Sequence, residues 1–361
     1  MSKRKATKTS LKKTSTGLPA DNALVNELRS LIEEARMQTA QAVNSALTLT
    51  KWQVGDRIRR ESLQEKRAEY GQEIVVTVSR ELASEFGSGF SKSNLLRMVQ
   101  FAELFPDQEI VATLSRQLSW SHFVEILPIE DQVKRDFYAE MCRVERWSVR
   151  TLRDKINGML FERTALSKKP AELARQEVAA LREEDRLTPG IVFRDPYFLD
   201  FLGLKDTYSE QDLETAILRQ LEAFILELGT GFAFVGRQFR MIIDGQDHAL
   251  DLLFFHRKLN RLIAVELKLG KFEAAYKGQM ELYLRWLEKH EMQSGENSPL
   301  GLILCADKSA EQIELLRLDE SGIHVSSYLT ELPPRELLQR KLHEAVNAAR
   351  ARIDKPGKEE S

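Results

Sequence analysis

The chain has 361 residues, a length typical of two domains that each bury a core of their own. Its 53 Lys and Arg nearly balance its 55 Asp and Glu, so the formal net charge is only −2. Any contact with nucleic acid must therefore come from local patches of charge. The apolar runs are strand-sized, which excludes a membrane span, and the N-terminus lacks an apolar signal segment. The two cysteines, Cys142 and Cys305, form no zinc-ligand pattern, and the sequence predicts a cytoplasmic protein.

The N-terminal part of the chain is predicted to be helical throughout. Residues 1–18 contain six Lys and Arg and no acid, which predicts a disordered basic tail. Residues 19–163 form a predicted helical domain that binds DNA or a partner. Leu24, Leu28 and Leu31 begin an apolar stripe on one helix, and Trp52 and Ile58 continue the series on a second helix.

Within this domain, two predicted helices are separated by Gly87 and Gly89. The second helix would begin at Ser91 as N-cap, and the pair predicts a helix-turn-helix or winged-helix-like fold. The candidate DNA-binding residues lie in the first turns of that second helix, where a recognition helix faces the major groove: Lys92, Asn94 and Arg97. An ordinary helical hairpin with a solvated polar face fits equally well, because helix pairs joined by a Gly turn are common.

The second half of the chain mixes helices and strands. Residues 164–190 are rich in Ala, Glu, Lys and Arg, and they predict a helical linker whose helix, over 168–186, is exposed. Residues 191–345 predict a helix over 209–229, three strands, a further helix and two buried strands, in the order αβββαβ with additions. Residues 346–361 are assigned to a C-terminal tail. The overall class is α+β.

One hairpin in this half places two carboxylates and a lysine together. Two apolar strands flank a four-residue turn at 257–260, and a turn centred there sets Asp251 opposite Glu266. Lys268 lies on the same face, because side chains alternate along a strand. Two facing carboxylates repel each other, and Mg²⁺ would offset the repulsion while keeping positions for water and phosphate. Lys268 would then orient or deprotonate an attacking water.

A simple salt bridge between Glu266 and Lys268 on a solvated strand face is the alternative interpretation. Glu266-Leu-Lys268 is, however, the only acidic-x-Lys triplet in the chain, and it lies inside the most apolar hairpin. We therefore favour a site. Glu214 is an accessory candidate, because it is an acid within the apolar face of the preceding helix.

The constellation resembles the PD-(D/E)xK nuclease superfamily, in which an Asp on one strand and a Glu-x-Lys on the next hold a metal. Further segments, including the run from Gly231 to Gln238 and the pair Gly278-Gln279, are similar to the YhcG family over roughly residues 25–345. The resemblance implies a restriction-endonuclease-like domain, DNA as partner, Mg²⁺ or Mn²⁺ as cofactor, and Asp251 and Glu266 as metal ligands. The catalytic set that it implies is Asp251, Glu266, Lys268 and Gln279.

The sequence thus predicts a metal-dependent DNA endonuclease. A DNA-binding or scaffold protein that keeps the fold with little or no turnover is the rival, and an RNA nuclease is also left open. No Gly-rich phosphate loop occurs, so no nucleotide cofactor is expected. Assembly into a homo-oligomer stays open.

Overall fold

A computed structural model describes residues 19–64, 68–204 and 207–353, and the predicted basic tail at 1–18 lies outside them. The chain divides into two compact units, with the division after Trp120. The helices of the first unit are α1 (Pro19–Gln64), α2 (Ala68–Phe86), α3 (Lys92–Leu104) and α4 (Gln108–Ser115). Helix α5 (Trp120–Ile126) begins at the division.

Helix α1 is a single helix of 46 residues, so the prediction of two helices between residues 24 and 58 was wrong. Its C-terminal half packs in the first unit, where Trp52 is buried and donates its indole N–H to the carbonyl of Phe105 at 2.7 Å. The core around it includes Leu95 and Met98 of α3, which are fully buried. Packing against α3 therefore holds one half of α1 in place.

The pair α2–α3 has the predicted helix–turn–helix order. Gly87 ends α2 with a φ of 87°, a left-handed value that Gly adopts without strain. A short 3₁₀ helix (Ser88–Phe90) follows, and Ser91 occupies the N-cap position of α3, although its side chain makes no capping bond. Residues 19–64 and 68–163 contain no strand, hence no β wing.

The second unit opens with helices that pack together. They are α6 (Gln132–Glu145), α7 (Val149–Asn157), α8 (Leu160–Arg163), α9 (Ala171–Glu184) and α10 (Pro189–Val192). The prediction of an exposed linker helix was wrong, because α9 buries Ala174, Val178 and Leu181. Arg182 of α9 also contacts the buried Glu140 of α6 at 2.6 Å. Apolar residues on one face of α9 were enough to anchor it.

The remaining elements form a six-stranded sheet with flanking helices. They are β1 (Tyr197–Phe198), α11 (Glu210–Arg219), α12 (Leu221–Leu228), β2 (Phe232–Ile243), β3 (Gln246–His256), β4 (Arg261–Lys271), α13 (Ala275–His290), β5 (Leu300–Asp307), α14 (Ala310–Leu315), β6 (Ile323–Leu329) and α15 (Arg335–Ile353). The strand order is β1-β6-β5-β4-β3-β2. Strands β2, β3 and β4 run antiparallel and β4, β5 and β6 run parallel. The αβββαβ order and the α+β class are confirmed.

Two predicted boundaries differ from the structure. The helix predicted over 209–229 is interrupted at Gln220, whose φ of −114° and ψ of 33° are not helical. It begins as predicted, with Ser209 and Asp212 forming a capping box. At the C-terminus, α15 continues to Ile353, so residues 346–353 of the assigned tail are helical, and Arg350 donates to the carbonyl of Ser167 at 3.0 Å.

The turn between β3 and β4 is braced from several sides. The N–H of Leu259 donates to Nδ1 of the buried His256 at 3.0 Å. Asn260 has a φ of 51°, which Asn tolerates better than most residues, and its side chain donates to the carbonyl of Gly295 at 2.7 Å. Asn297 donates from its side chain to the carbonyl of Leu259 at 2.9 Å. These bonds fix the four-residue turn, and with it the register of the hairpin.

Candidate active site

The β3–β4 hairpin brings Asp251 and Glu266 together. The register pairs His256 with Arg261 and Leu252 with Val265, as the sequence predicted. Beyond that last pair, side chains bridge the strands. The N–H of Asp251 donates to Oε1 of Glu266 at 3.4 Å, and the N–H of Leu267 donates to Oδ2 of Asp251 at 2.9 Å.

Glu266 is the buried member of the pair, with 4% of its surface exposed. Burial and the neighbouring carboxylate of Asp251 raise its pKa to about 7, although Lys268 acts in the opposite direction. The pKa of Asp251 is also raised, chiefly by burial. Both shifts have the same meaning: the folded protein holds two carboxylates in a place where their charge is poorly solvated.

Lys268 lies against the pair as predicted, with its Nζ 3.1 Å from Oε2 of Glu266. Burial lowers the pKa of its ammonium group, but the ion pair with Glu266 and the nearby carboxylates of Glu210 and Asp251 outweigh burial and raise it. The ammonium also lies 5.4 Å from the centre of the Tyr276 ring. Lys268 is therefore a fixed positive charge at the site.

A glutamine that the sequence argument did not select connects the site to α11. The side-chain amide of Gln238 donates to Oε2 of Glu214 at 2.9 Å and to Oδ1 of Asp251 at 3.2 Å. Its φ of 44° is left-handed, close to a shift in strand register between Phe234 and Gly236. A left-handed non-Gly residue inside a strand stores strain, which is typical of positions that aim a functional side chain.

Two acids of α11 approach the site. Glu214, the accessory candidate, has a raised pKa, mainly because of burial and then because of Asp251. Glu210 was missed by the sequence argument, and it accepts from the N–H of Leu269 at 3.3 Å. Its position next to the Ser209 cap gave the only signal, and that signal indicates helix capping as readily as a site.

Gln279 lies on α13, and its hydrogen bond is to Tyr283. Its side-chain amide donates to the Tyr283 hydroxyl at 2.8 Å. Burial raises the pKa of that hydroxyl, and the charges of Glu266, Lys268 and Asp251 also act on it. Gln279 is thus bonded to a hydroxyl that is close enough to the site to be affected by its charges.

The candidate DNA-binding residues of α3 are not equivalent. Lys92 and Arg97 are exposed. Asn94 is half-buried and donates to the carbonyl of Ser88 at 3.3 Å, so it closes the turn before α3. At 100° per residue, Lys92 and Arg97 point about 140° apart and do not share one face of the helix.

The residues present fit Mg²⁺ or Mn²⁺ bound through few protein ligands. In the described ranges, no group of three or more His, Cys, Asp and Glu is close enough to form a ready-made metal cage. Asp251 and Glu266 nevertheless supply two carboxylates, and Mg²⁺ commonly uses one or two while keeping water. A divalent cation would offset the burial that raises both pKa values and the repulsion from Asp251 that adds to the shift of Glu266.

The fold and this site define a domain of the PD-(D/E)xK class: a mixed sheet with an Asp on one strand and a Glu-x-Lys on the next. The comparisons agree, since residues 191–343 match the model of the YhcG PDDEXK nuclease domain and residues 27–163 match that of the DUF1016 N-terminal domain. A curated relative from Escherichia coli (strain K12), named "Putative nuclease YhcG", is 36% identical over 343 residues, which are 86% of this chain and 91% of that protein. The chain belongs to the YhcG family.

Solved structures match more weakly. A repair endonuclease from Pyrococcus abyssi is 18% identical, with a TM-score of 0.25, over 36% of this chain and 50% of its own. EndoMS in its apo form is also 18% identical, with a TM-score of 0.24, over 39% of this chain and 50% of its own. The chain thus spans half the length of these two proteins. No helix in the described part of the chain is both long and apolar enough to cross a membrane.

Proposed function

We propose that the protein is a metal-dependent DNA endonuclease. The observation that carries the proposal is the pair Asp251 and Glu266, joined across two strands by side-chain hydrogen bonds, with the ammonium of Lys268 at 3.1 Å from Glu266. Asp251 and Glu266 would hold Mg²⁺ or Mn²⁺, and Gln279 would contribute from the edge of the site. A bound divalent cation would supply Lewis-acid charge next to the scissile phosphate and lower the pKa of a coordinated water.

Lys268 orients the attacking water and stabilises the negative charge that develops on the phosphate oxygens. Its pKa is raised, so the ammonium keeps its proton near neutral pH and acts as a hydrogen-bond donor. Deprotonation of the water by a neutral Lys268 is disfavoured for the same reason. In the reaction, the water oxygen forms a bond to phosphorus and gives up one proton, the bond from phosphorus to the leaving deoxyribose oxygen breaks, and a proton ends on that oxygen.

Gln238 and Glu214 act as positioning residues in this proposal. The side-chain NH₂ group of Gln238 donates one hydrogen bond to Glu214 and one to Asp251, so it holds the two carboxylates at a fixed distance from each other. Glu214 would thereby be held beside Asp251, where its carboxylate could accept a hydrogen bond from a water at the site.

The domain organisation remains part of the proposal. Residues 19–163 would bind DNA or a partner through exposed charges such as Lys92 and Arg97, 164–190 would link, and 191–345 would cleave. We place the activity in the cytoplasm, because both cysteines are free and buried and fit a reducing compartment.

The test uses the full chain with Mg²⁺ or Mn²⁺ and a panel of linear, nicked, branched and single-stranded DNAs, with matched RNAs. Cleavage of DNA that stops on chelation and is lost in Asp251→Asn supports the proposal. Exposed Asp247, which pairs with Arg240 away from the carboxylate pair, provides the matched control Asp247→Asn. If the protein cleaves only RNA, the proposed substrate class changes from DNA to RNA.

A second measurement separates an inactive protein from a wrong site. Mg²⁺ should raise the melting temperature of the wild type and leave that of Asp251→Asn unchanged. If the wild type shows neither this stabilisation nor cleavage of any substrate, the enzyme proposal is wrong and the binding or scaffold function replaces it.

A further inference from the structure

The N-terminal half of α1 is exposed along its length, and its hydrogen bond to another segment, from the Gln41 side chain to the carbonyl of Arg116, lies at its end. Every residue from 23 to 44 is exposed. The exposed side chains include large apolar ones, with exposed fractions of 49% for Leu28, 62% for Leu31 and 52% for Ile32. An isolated helix gains most of its stability from packing an apolar face, so this segment needs a partner surface.

Most of the large apolar side chains form one stripe. At 100° per residue, five of the six exposed ones between residues 24 and 37 fall within an arc of about 120°, and Met37 points to the opposite side. We call this the α1 stripe, and its large members are Leu24, Val25, Leu28, Leu31 and Ile32. Ala35 and Ala42 continue the same face at heptad spacing from Leu28, which allows another helix to approach closely.

The segments outside the described residues offer few apolar side chains for covering the stripe. Residues 1–18 contain only two large aliphatic side chains, Leu11 and Leu18, beside the initial Met and six cations. Residues 65–67, 205–206 and 354–361 contain no large aliphatic or aromatic side chain. The stripe is therefore open to a partner from outside the first unit.

The charges along the stripe indicate what that molecule is. Glu27 and Glu34 are seven residues apart and lie on one side of the stripe, at roughly 100–120° around the helix axis from its centre. Arg29 and Arg36, also seven residues apart, lie on the other side by roughly 80–100°. All four are exposed. Glu33 lies farther round on the side of the two arginines, about 140° from the centre. The charges nearest to the stripe are thus acidic on one edge and basic on the other.

We propose that the α1 stripe pairs in parallel with the same stripe of a second copy of this chain. In a parallel pair related by a two-fold axis along the helices, the acidic edge of each copy faces the basic edge of the other. An antiparallel pair would set like edges against each other and repel. The pairing rests on α1 alone, so it stands whether or not the protein cleaves DNA.

Sedimentation equilibrium of the full chain tests the pairing. The wild type is expected to be a dimer, and Leu28→Asp with Leu31→Asp should weaken dimerisation by at least about 100-fold, because two charges enter an apolar seam. Neither leucine is buried within a single chain. The variant should therefore keep the helix content of the wild type by circular dichroism, except for any loss within the N-terminal part of α1. The matched control is Leu315→Asp with Leu332→Asp, two exposed leucines of the second unit at 76% and 42%.

The orientation has its own test. Glu27→Arg with Glu34→Arg makes both edges basic and should weaken a parallel dimer by roughly 10-fold, which is about 1.4 kcal/mol in the free energy of dimerisation. Adding Arg29→Glu and Arg36→Glu to the same chain exchanges the edges and should restore the dimer. An antiparallel pair would be insensitive to the first change, because like charges would face each other before and after.

Cross-linking provides an independent reading of the orientation. In a parallel dimer, Leu24→Cys faces itself and should oxidise to a disulfide, whereas an antiparallel seam centred on the stripe would hold the two positions about 12 Å apart along the helix axis. The native Cys142 and Cys305 are buried and do not compete. A monomeric wild type, a dimer that survives Leu28→Asp with Leu31→Asp, or a Leu24→Cys dimer that fails to cross-link would each overturn the proposal.

Discussion

Changing Glu266 to Gln should make the metal-free protein more stable at alkaline pH. In the folded state this carboxyl has a pKa of about 7 against an ordinary value of 4.5, because it is buried and faces Asp251. The folded state therefore binds the proton more tightly than the unfolded state does. The stability that the protonated group contributes is fully present below about pH 4.5 and is lost as pH rises through about 7.

The size of the effect follows from the two pKa values. At roughly 1.4 kcal/mol per pKa unit, the loss at about pH 8 is close to 3 kcal/mol. Glu266→Gln keeps the oxygen that accepts from the N–H of Asp251 and removes the charge, so it should recover up to that amount. The variant loses the ion pair with Lys268, which still has Asp251 and Glu210 nearby. A cooperative unit of 150–250 residues gains about 2–4 °C per kcal/mol, so the melting temperature should rise by roughly 6–12 °C at most.

The assay is thermal unfolding of the full chain with chelator, at about pH 5 and about pH 8. The melting temperature of the variant should exceed that of the wild type clearly at the higher pH and only slightly at the lower pH. Glu222→Gln, an exposed glutamate of α12, is the matched control and should show no pH-dependent difference. With Mg²⁺ at the higher pH the order should reverse, because the wild type gains a ligand that the variant binds poorly.

A gain of the same size at both pH values would refute the reasoning, since it would locate the effect in packing and not in charge. A variant less stable than the wild type at the higher pH would show that the ion pair with Lys268 outweighs burial and the repulsion from Asp251.

Three further predictions concern individual side chains. Lys268→Ala should reduce DNA cleavage by about 10² to 10³, while Mg²⁺ still raises the melting temperature; loss of both would assign Lys268 to metal binding. Gln238→Gly and Gln238→Ala should both cleave poorly. The Gly variant should melt at the higher temperature, because Gly adopts the left-handed backbone without the strain of about 1–3 kcal/mol that Ala would keep. Equal melting temperatures would argue against strain. Lys92→Ala with Arg97→Ala should weaken DNA binding and flatten its salt dependence, and an unchanged slope in filter binding would indicate a protein-interaction role for α3.

The hairpin could be read from sequence because its signals were local. A four-residue turn fixes the register, and the alternation of side chains then fixes which residues share a face. Asp251, Glu266 and Lys268 needed only this information. Their convergence was therefore predictable from one short stretch. The burial of helix α9 was not predictable in this way, because it depends on packing between distant segments, which leaves only a weak pattern in the sequence.

Gln238 and Glu210 escaped prediction for related physical reasons. The amide of Gln238 reaches the site because its backbone is left-handed, and no residue type at that position signals such a conformation except Gly or Asn. Glu210 reaches the site because α11 crosses the end of β4, which is a tertiary arrangement. The length of α1 was missed because its apolar stripe ends before the residues that pack in the core begin.

The braced turn between β3 and β4 makes chain length itself a determinant of the site. One residue inserted between His256 and Arg261 would rotate the inward set of β4 side chains outward, so Glu266 would leave the face of Asp251 while every side chain stayed chemically intact. Insertions at the Gly245 turn, outside the stretch that joins Asp251 to Glu266, carry no such penalty. A library of single-residue insertions should therefore show the 257–260 turn as a narrow gap in tolerance, set by geometry and not by the identity of any residue.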